Sequence, residues 1–314
     1  MKRWAAIVRT GGVGDNLIAA SVARPLKTLG YNVEVLCADT EPHTVFLNNP
    51  FIDKLSVKKD GDIPSGKEGT AWFASRAKEY DIFVNLSHSC EVRHALFMDS
   101  APFWWPQDYR RKLCAGSYLE TVHDIVGVPY EFGPLFFPTE DETLRAQAVK
   151  KTVGERFVAW VVAGSRIDKI YPYAAMAVGR IIKELNTPVV VFGIGEKQHA
   201  MAQQLRDHVV RQNGSREGLH LAVQDDVSAD KRWPLRAALT LGLQADLMIT
   251  PDTGMAWAGA FEKLPKLVYV SHASVENITK HWVNTVTLHA DSDRVPCWPC
   301  HRLHDDIKTC TPNT

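Results

Sequence analysis

Residues 250–260 read "TPDTGMAWAGA": the apolar run Leu247 to Thr250 stops at Pro251-Asp252-Thr253-Gly254, and an Ala-rich segment follows at once. A strand that ends in small and acidic residues where a helix begins leaves backbone N–H groups and a positive dipole end at one place, a seat suited to phosphate. "RTGGVGDNLIAA" is a second such junction, where Gly12 and Gly14 let the backbone turn and approach a ligand. Asp15 either caps the helix that follows or carries a carboxylate for proton transfer. In "VVAGSRIDKIYP", Gly164-Ser165 ends a strand, Arg166 and Lys169 follow, and Pro172 opens a helix. Two cations there could hold a pyrophosphate, with Lys169 as a point charge against the leaving group, or form an exposed basic loop. "FGIGE" puts Gly193 and Gly195 at another strand end, and Glu196 beside them could accept from ribose hydroxyls.

Near the C-terminus "VPCWPCHRLHDDIKTC" spaces Cys297 and Cys300 as two thiolates on one tetrahedral metal are spaced. Cys310, His301 and His304 could complete the set, giving a structural Zn or Fe site. Reduced thiols or a redox-labile pair are the rival readings.

These junctions need strands and helices to position them, and the chain alternates the two throughout. Expected strands are Ala5–Val8, Val33–Leu36, Ile82–Leu86, Phe157–Val162, Val189–Phe192, Leu219–Leu221, Leu247–Thr250 and Leu267–Val270. Helix-length segments separate them: Asn16–Leu29, Trp72–Tyr80, Ala174–Leu185, Ala200–Arg211 and Leu235–Leu243. Unbroken apolar strands are covered on both faces, and their alternation with helices predicts an α/β fold with doubly wound parallel sheets. At 314 residues the chain exceeds one usual core. "GPLFFPTEDE" suggests the division: an N-terminal domain over 1–137, a second over 138–290 and a Cys-rich tail over 291–314. Two Rossmann-like domains facing across a cleft are expected.

Composition restricts the function. Lys+Arg and Asp+Glu are both 36, so the whole molecule has no net attraction for polyanions, and Arg110-Arg111-Lys112 is a short basic stretch that reads as a surface turn. Nucleic acid is not an expected partner. The sequence holds no run of about 18 apolar residues and no signal-peptide pattern at its start, so a cytoplasmic protein is expected; peripheral contact with a membrane stays open.

Taken in order, "GGVGD", "GSR..K.YP", "FG.GE" and "DTGMAWAGA" resemble the ADP-heptose:lipopolysaccharide heptosyltransferases of glycosyltransferase family 9, over nearly the whole chain. The resemblance implies a GT-B fold and inverting transfer of a sugar, heptose first, from an ADP-sugar to an acceptor hydroxyl of a saccharide or a protein. It implies that Asp15 is the general base, that Lys169 contacts the donor phosphates and that Glu196 holds the ribose. By the same resemblance Asp252 contacts the donor sugar, while Thr253 and Gly254 donate to the diphosphate. No catalytic metal is then required, because cations and helix N-termini meet the leaving charge. Some relatives that glycosylate autotransporter proteins bind iron through C-terminal cysteines, which favours the metal reading of Cys297, Cys300 and Cys310. Many members carry DTG-x-x-H, whereas this chain has Trp257 at the His position. The region from Cys90 to Arg111 is where such enzymes shape the acceptor site, and Trp104-Trp105 could stack on a sugar face or pack in the core. The competing class is a non-catalytic nucleotide-sugar-binding or scaffolding subunit. A dinucleotide oxidoreductase is disfavoured, because the glycine loop lacks the full G-x-G-x-x-G.

Overall fold

The computed structural model describes residues 2–59, 62–64, 66–89, 96–223, 233–304 and 310. Cys90 lies outside the described residues. The chain forms two units: 1–137 with 276–281 and 300–303, and 138–275 with 282–299 and 304–314.

In the first unit the strands β1 (Trp4–Val8), β2 (Asn32–Ala38), β3 (Lys54–Lys58) and β4 (Ile82–Asn85) form a parallel sheet of order β3-β2-β1-β4. Ala5 to Val8 and Val33 to Leu36 are all buried, Glu34 included, as central strands covered on both faces must be. Strand β3, Lys-Leu-Ser-Val-Lys, lies at the edge and is half exposed, so it carries no continuous apolar run by which to be found. The helix expected over 16–29 is two helices, α1 (Val13–Ala20) and α2 (Ala23–Thr28). Pro25 explains the break, since it has no N–H to continue the i→i−4 ladder and its ring crowds the carbonyl a turn back. Helices α3 (Gly66–Arg76), α4 (Gln107–Leu113) and α5 (Tyr118–Val126) also belong to this unit. A two-stranded parallel sheet joins β5 (Leu96–Phe97) to β12 (Arg302–Leu303), tying the late segment 300–303 to it.

The second unit starts with α6 (Glu140–Val153), closed by a reciprocal cap: Glu142 N–H donates to Thr139 Oγ1 at 3.1 Å and Thr139 N–H to the Glu142 carboxylate at 2.8 Å. Its strands are β6 (Val158–Val161), β7 (Val189–Gly193), β8 (Leu219–Val223), β9 (Leu247–Pro251), β10 (Lys266–Tyr269) and β11 (Thr285–Leu288). All pair in parallel, in the order β11-β10-β9-β6-β7-β8. Helices α7 (Ala174–Leu185), α8 (Gly195–Asn213), α9 (Leu235–Gly242) and the short α10 (Gly254–Ala258) lie between them in sequence. The core gathers Val158, Trp160, Val189, Val191, Val178, Leu205 and Ile249. Among the described residues no helix is long and apolar enough to cross a membrane.

Both sheets have the doubly wound arrangement, in which the chain moves outward on one side of the first strand and returns on the other. The reversal falls between β1 and β4 in the first unit and between β6 and β9 in the second. Beyond the carboxyl ends of the two strands at such a reversal, no crossover helix fills the space, and ligands bind there.

Candidate functional site

In the first unit the loop leaving β1 reaches this position. Arg9, the residue after the strand, is 1% exposed. Its guanidinium pairs with Asp15 Oδ1 at 2.9 Å and also donates to the Leu86 carbonyl just past β4. The other oxygen of Asp15 accepts from Gly12 N–H at 2.9 Å. Gly12 is the N-cap of α1 and Asp15 its third residue, so the carboxylate closes the helix from inside the first turn and is not itself the N-cap. Gly11 has φ +128°, and a Cβ there would sit 3.0 Å from the Asp15 carboxylate, so the close return of the loop requires glycine. Gly14 falls within the first turn of α1. Thr10 N–H and Oγ1 both lie 3.2 Å from Ser87 Oγ, joining the β1 and β4 ends. Asp15 is thus a fixed, half-buried carboxylate at the sheet's reversal point, and Arg9 is what fixes it. The sequence signal for Arg9 is a cation directly after four buried apolar residues.

In the second unit the loops leaving β6 and β9 meet through Lys169 and Asp252. Lys169 Nζ donates to the Asp252 carbonyl and to its Oδ2, both at 2.9 Å. Trp257, on α10, donates its indole N–H to Asp252 Oδ1 at 2.8 Å. Burial pushes the Asp252 carboxyl up, but the Lys169 charge and the Lys169 and Trp257 hydrogen bonds outweigh it and hold the group below its ordinary value. Trp257 is 2% exposed and meets Trp282 edge-on, with ring centroids 4.8 Å apart. The Trp257 position therefore supplies a hydrogen-bond donor to Asp252. Thr253 caps α10, accepting from Ala256 N–H at 3.4 Å, with Thr250 Oγ1 3.0 Å from its hydroxyl. Because α10 has five residues, its N-terminus offers the amides of Gly254 and Met255 more than a summed dipole.

Gly164 leaves room for Lys169: a Cβ there would collide with the Lys169 stem. Ser165 is exposed and Arg166 half-buried, its Nε 3.9 Å from Asp168. Glu196 is exposed in the first turn of α8, next to Gly195, whose φ is +80°. Gln198 joins these two loops, donating to the Gly164 carbonyl at 3.0 Å and accepting from Ile194 N–H at 2.8 Å.

A further cluster escaped sequence reasoning. Asp168 accepts from Ser271 Oγ at 2.8 Å and from His272 Nδ1 at 2.9 Å, the latter two delivered by the loop after β10. Burial raises the Asp168 carboxyl, yet the His272 bond and charge, with Ser271 and Lys169, hold it well below the carboxylate range. Two acids, Asp168 and Asp252, are thus interleaved with two bases, Lys169 and His272, at the ends of β6, β9 and β10.

The structure gives the expected metal site no support. Among the described residues no three His, Cys, Asp or Glu side chains gather as a metal ion requires. Cys297 and Cys310 belong to the second unit and Cys300 to the first. Cys300 Sγ contacts the Arg302 carbonyl at 4.0 Å. Burial, with Cys297 and Asp168 nearby, pushes the Cys310 thiol up. The basic stretch 110–112 is on α4, and Arg110 is buried, so it is not a patch open to a polyanion. Trp104 and Trp105 are exposed and not part of the core.

The sequence matches no protein-family model and no curated protein. Solved structures do match the fold. A family 9 glycosyltransferase from Veillonella parvula superposes with TM-score 0.65 at 16% identity, over 94% of this chain and 90% of that one. The Escherichia coli ADP-heptose LPS heptosyltransferase II gives 0.62 at 14% identity, over 90% of each. TibC, a dodecameric iron-containing heptosyltransferase in complex with ADP-D-beta-D-heptose, gives 0.55 at 13%, over 98% of this chain and 67% of that one. With two parallel, doubly wound units matched over nine-tenths of its length, this chain has the GT-B fold of the family 9 glycosyltransferase structures.

Proposed function

We propose that the protein is an inverting glycosyltransferase that moves a sugar, heptose first, from a nucleoside-diphosphate donor, ADP-linked first, to an acceptor hydroxyl. The carrying observation is the Lys169–Asp252 pair at the β6/β9 reversal point of the second unit, the position at which such sheets bind nucleotides. On this reading Lys169 exchanges part of its contact with Asp252 for the donor diphosphate and meets the charge that develops as the nucleotide leaves. The amides at Thr253 and Gly254 donate to the same oxygens, with Ser165 and Arg166 on the adjoining loop. Glu196, exposed at the β7 end, accepts from the ribose hydroxyls. In the first unit Asp15, oriented by Arg9 and Gly12, takes the proton from the acceptor hydroxyl as its oxygen attacks the anomeric carbon. The heptosyltransferases among the fold relatives support the donor class.

The test is thermal unfolding with ADP, UDP, GDP and their sugar derivatives, followed by product analysis. A ligand at a hundred times its Kd adds about 2.7 kcal/mol, a shift of a few degrees for domains of this size. Stabilisation by ADP-heptose and ADP alone, with sugar release that Asp15→Asn abolishes, supports the reading; turnover retained in Asp15→Asn removes the base. One observation favours a binding module without turnover: both carboxylate oxygens of Asp252 are already engaged, by Lys169 and Trp257. That second reading requires nucleotide stabilisation without product.

A further inference from the structure

His272 lies just beyond the carboxyl end of β10, in the second unit, and is 6% exposed. Its Nδ1 is 2.9 Å from Asp168 Oδ2. Ser271 Oγ donates to the same oxygen at 2.8 Å and stands 3.3 Å from that Nδ1. The hydroxyl is therefore on the carboxylate side of the ring, away from Nε2, so these three groups are not a nucleophile with its base. An Nδ1–H given to a carboxylate fixes the tautomer and the plane of an imidazole and leaves Nε2 as the end that meets a ligand. Nε2 of His272 makes no hydrogen bond among the described residues.

The charges around the ring decide what that end can meet. The loop after β6 brings Asp168, Lys169 and Arg166, whose Nε is 3.9 Å from Asp168 Oδ1; the loop after β9 brings Asp252. Cys310 is near Asp168. Asp168 Oδ1 is buried and accepts no hydrogen bond among the described residues, so the donors this carboxylate has are Ser271 and His272. Two carboxylates thus face Lys169, whose ammonium already donates to Asp252. A phosphate arriving here adds negative charge, which favours proton uptake by any group able to accept one. Lysine and arginine already carry their protons, as does the Cys310 thiol, pushed up by burial. Asp168 and Asp252 are held low and resist protonation. The imidazole is the group left to respond.

We propose that His272 is a proton-dependent phosphate contact: as the donor diphosphate binds, a proton from solvent adds to Nε2, and this N–H donates to a phosphate oxygen, with Asp168 as the positioning residue. The place of the phosphate rests on the glycosyl-transfer reading.

The experiment is calorimetric titration of the full chain with ADP and with inorganic pyrophosphate at pH 7, 8 and 9, in buffers of different ionisation enthalpy, which counts the protons bound. The expected result for the wild type is uptake of up to about one proton per ADP, with affinity falling as pH rises. His272→Asn keeps an amide N–H for Asp168 at the Nδ1 position and removes Nε2, so it is expected to bind ADP about tenfold or more weakly and without the uptake. His272→Gln puts a neutral donor near Nε2 and is expected to recover part of the affinity and none of the uptake. A role confined to packing changes the unfolding midpoint of these variants and leaves the proton count as in the wild type. ADP binding by the wild type without proton uptake at any of the three pH values, or uptake undiminished in both variants, overturns the contact and leaves the transfer reading standing. Pyrophosphate bound with His272-dependent uptake, while no nucleotide binds, sustains the contact and removes the transfer reading. Binding of neither probe removes both.

Discussion

The Trp257 indole donates to one oxygen of Asp252 at 2.8 Å while Lys169 takes the other at 2.9 Å. The acid is held from both sides by residues that lie 83 positions before and five after it in the chain. Its orientation is therefore set before any ligand arrives.

Removing the indole donor leaves one buried carboxylate oxygen without its partner. Trp257→Phe is expected to cost about 1–3 kcal/mol of stability, the range for a buried hydrogen bond to a charged group. Urea unfolding measures it; a change indistinguishable from zero means the bond contributes nothing.

Lys169→Met strands the Asp252 charge and is expected to cost about 3–5 kcal/mol, as for a broken buried pair. Asp252→Asn in the same chain relieves that stranding, so the double variant loses less than the sum of the single losses, by about 0.5–3 kcal/mol. A thermodynamic cycle on the four proteins checks the coupling. Strict additivity rejects it.

Asp168 has its carboxyl pKa lowered in the folded state. The folded form then binds its proton less readily than the unfolded chain, so the stabilisation is complete above the unfolded value of about 3.9 and is lost as pH falls below it. Wild type is expected to lose more stability between pH 6 and pH 3 than Asp168→Asn does. Parallel urea midpoints decide this, with identical losses counting against the pair.

Lys266, 2% exposed, donates to the Glu262 and Leu264 carbonyls at 2.9 and 2.7 Å, and burial pushes its ammonium down to about 8. Between that value and the ordinary one of about 10.4 the unfolded chain holds the proton and the folded protein does not, so Lys266 makes stability rise with pH there. Lys266→Met is expected to flatten this rise, by up to about 3 kcal/mol over the window. Chemical unfolding at pH 8 and at pH 10 reads the slope.

Much of the architecture was legible in the chain itself. Central strands such as β1, β6 and β9 are buried on both faces and so appear as unbroken apolar runs. The edge strands β3 and β11 alternate or lie half exposed, and their pattern is too weak to stand out from a loop. Apolar spacing continues across Pro25 and reads as one helix, whereas the structure has α1 and α2. The exposed Trp104 and Trp105 were equally compatible with a core position, since residue type alone does not fix burial.

The sequence by itself determined the α/β class, through continuous apolar strands alternating with helices, and marked the strand ends at which glycines, acids and cations collect. Only the tertiary structure decided their partners. Asp168 meets His272 across 104 positions and Lys169 meets Asp252 across 83 because β9 and β10 lie in order beside β6. That order is a product of sheet packing and crossover handedness, and no local pattern encodes it.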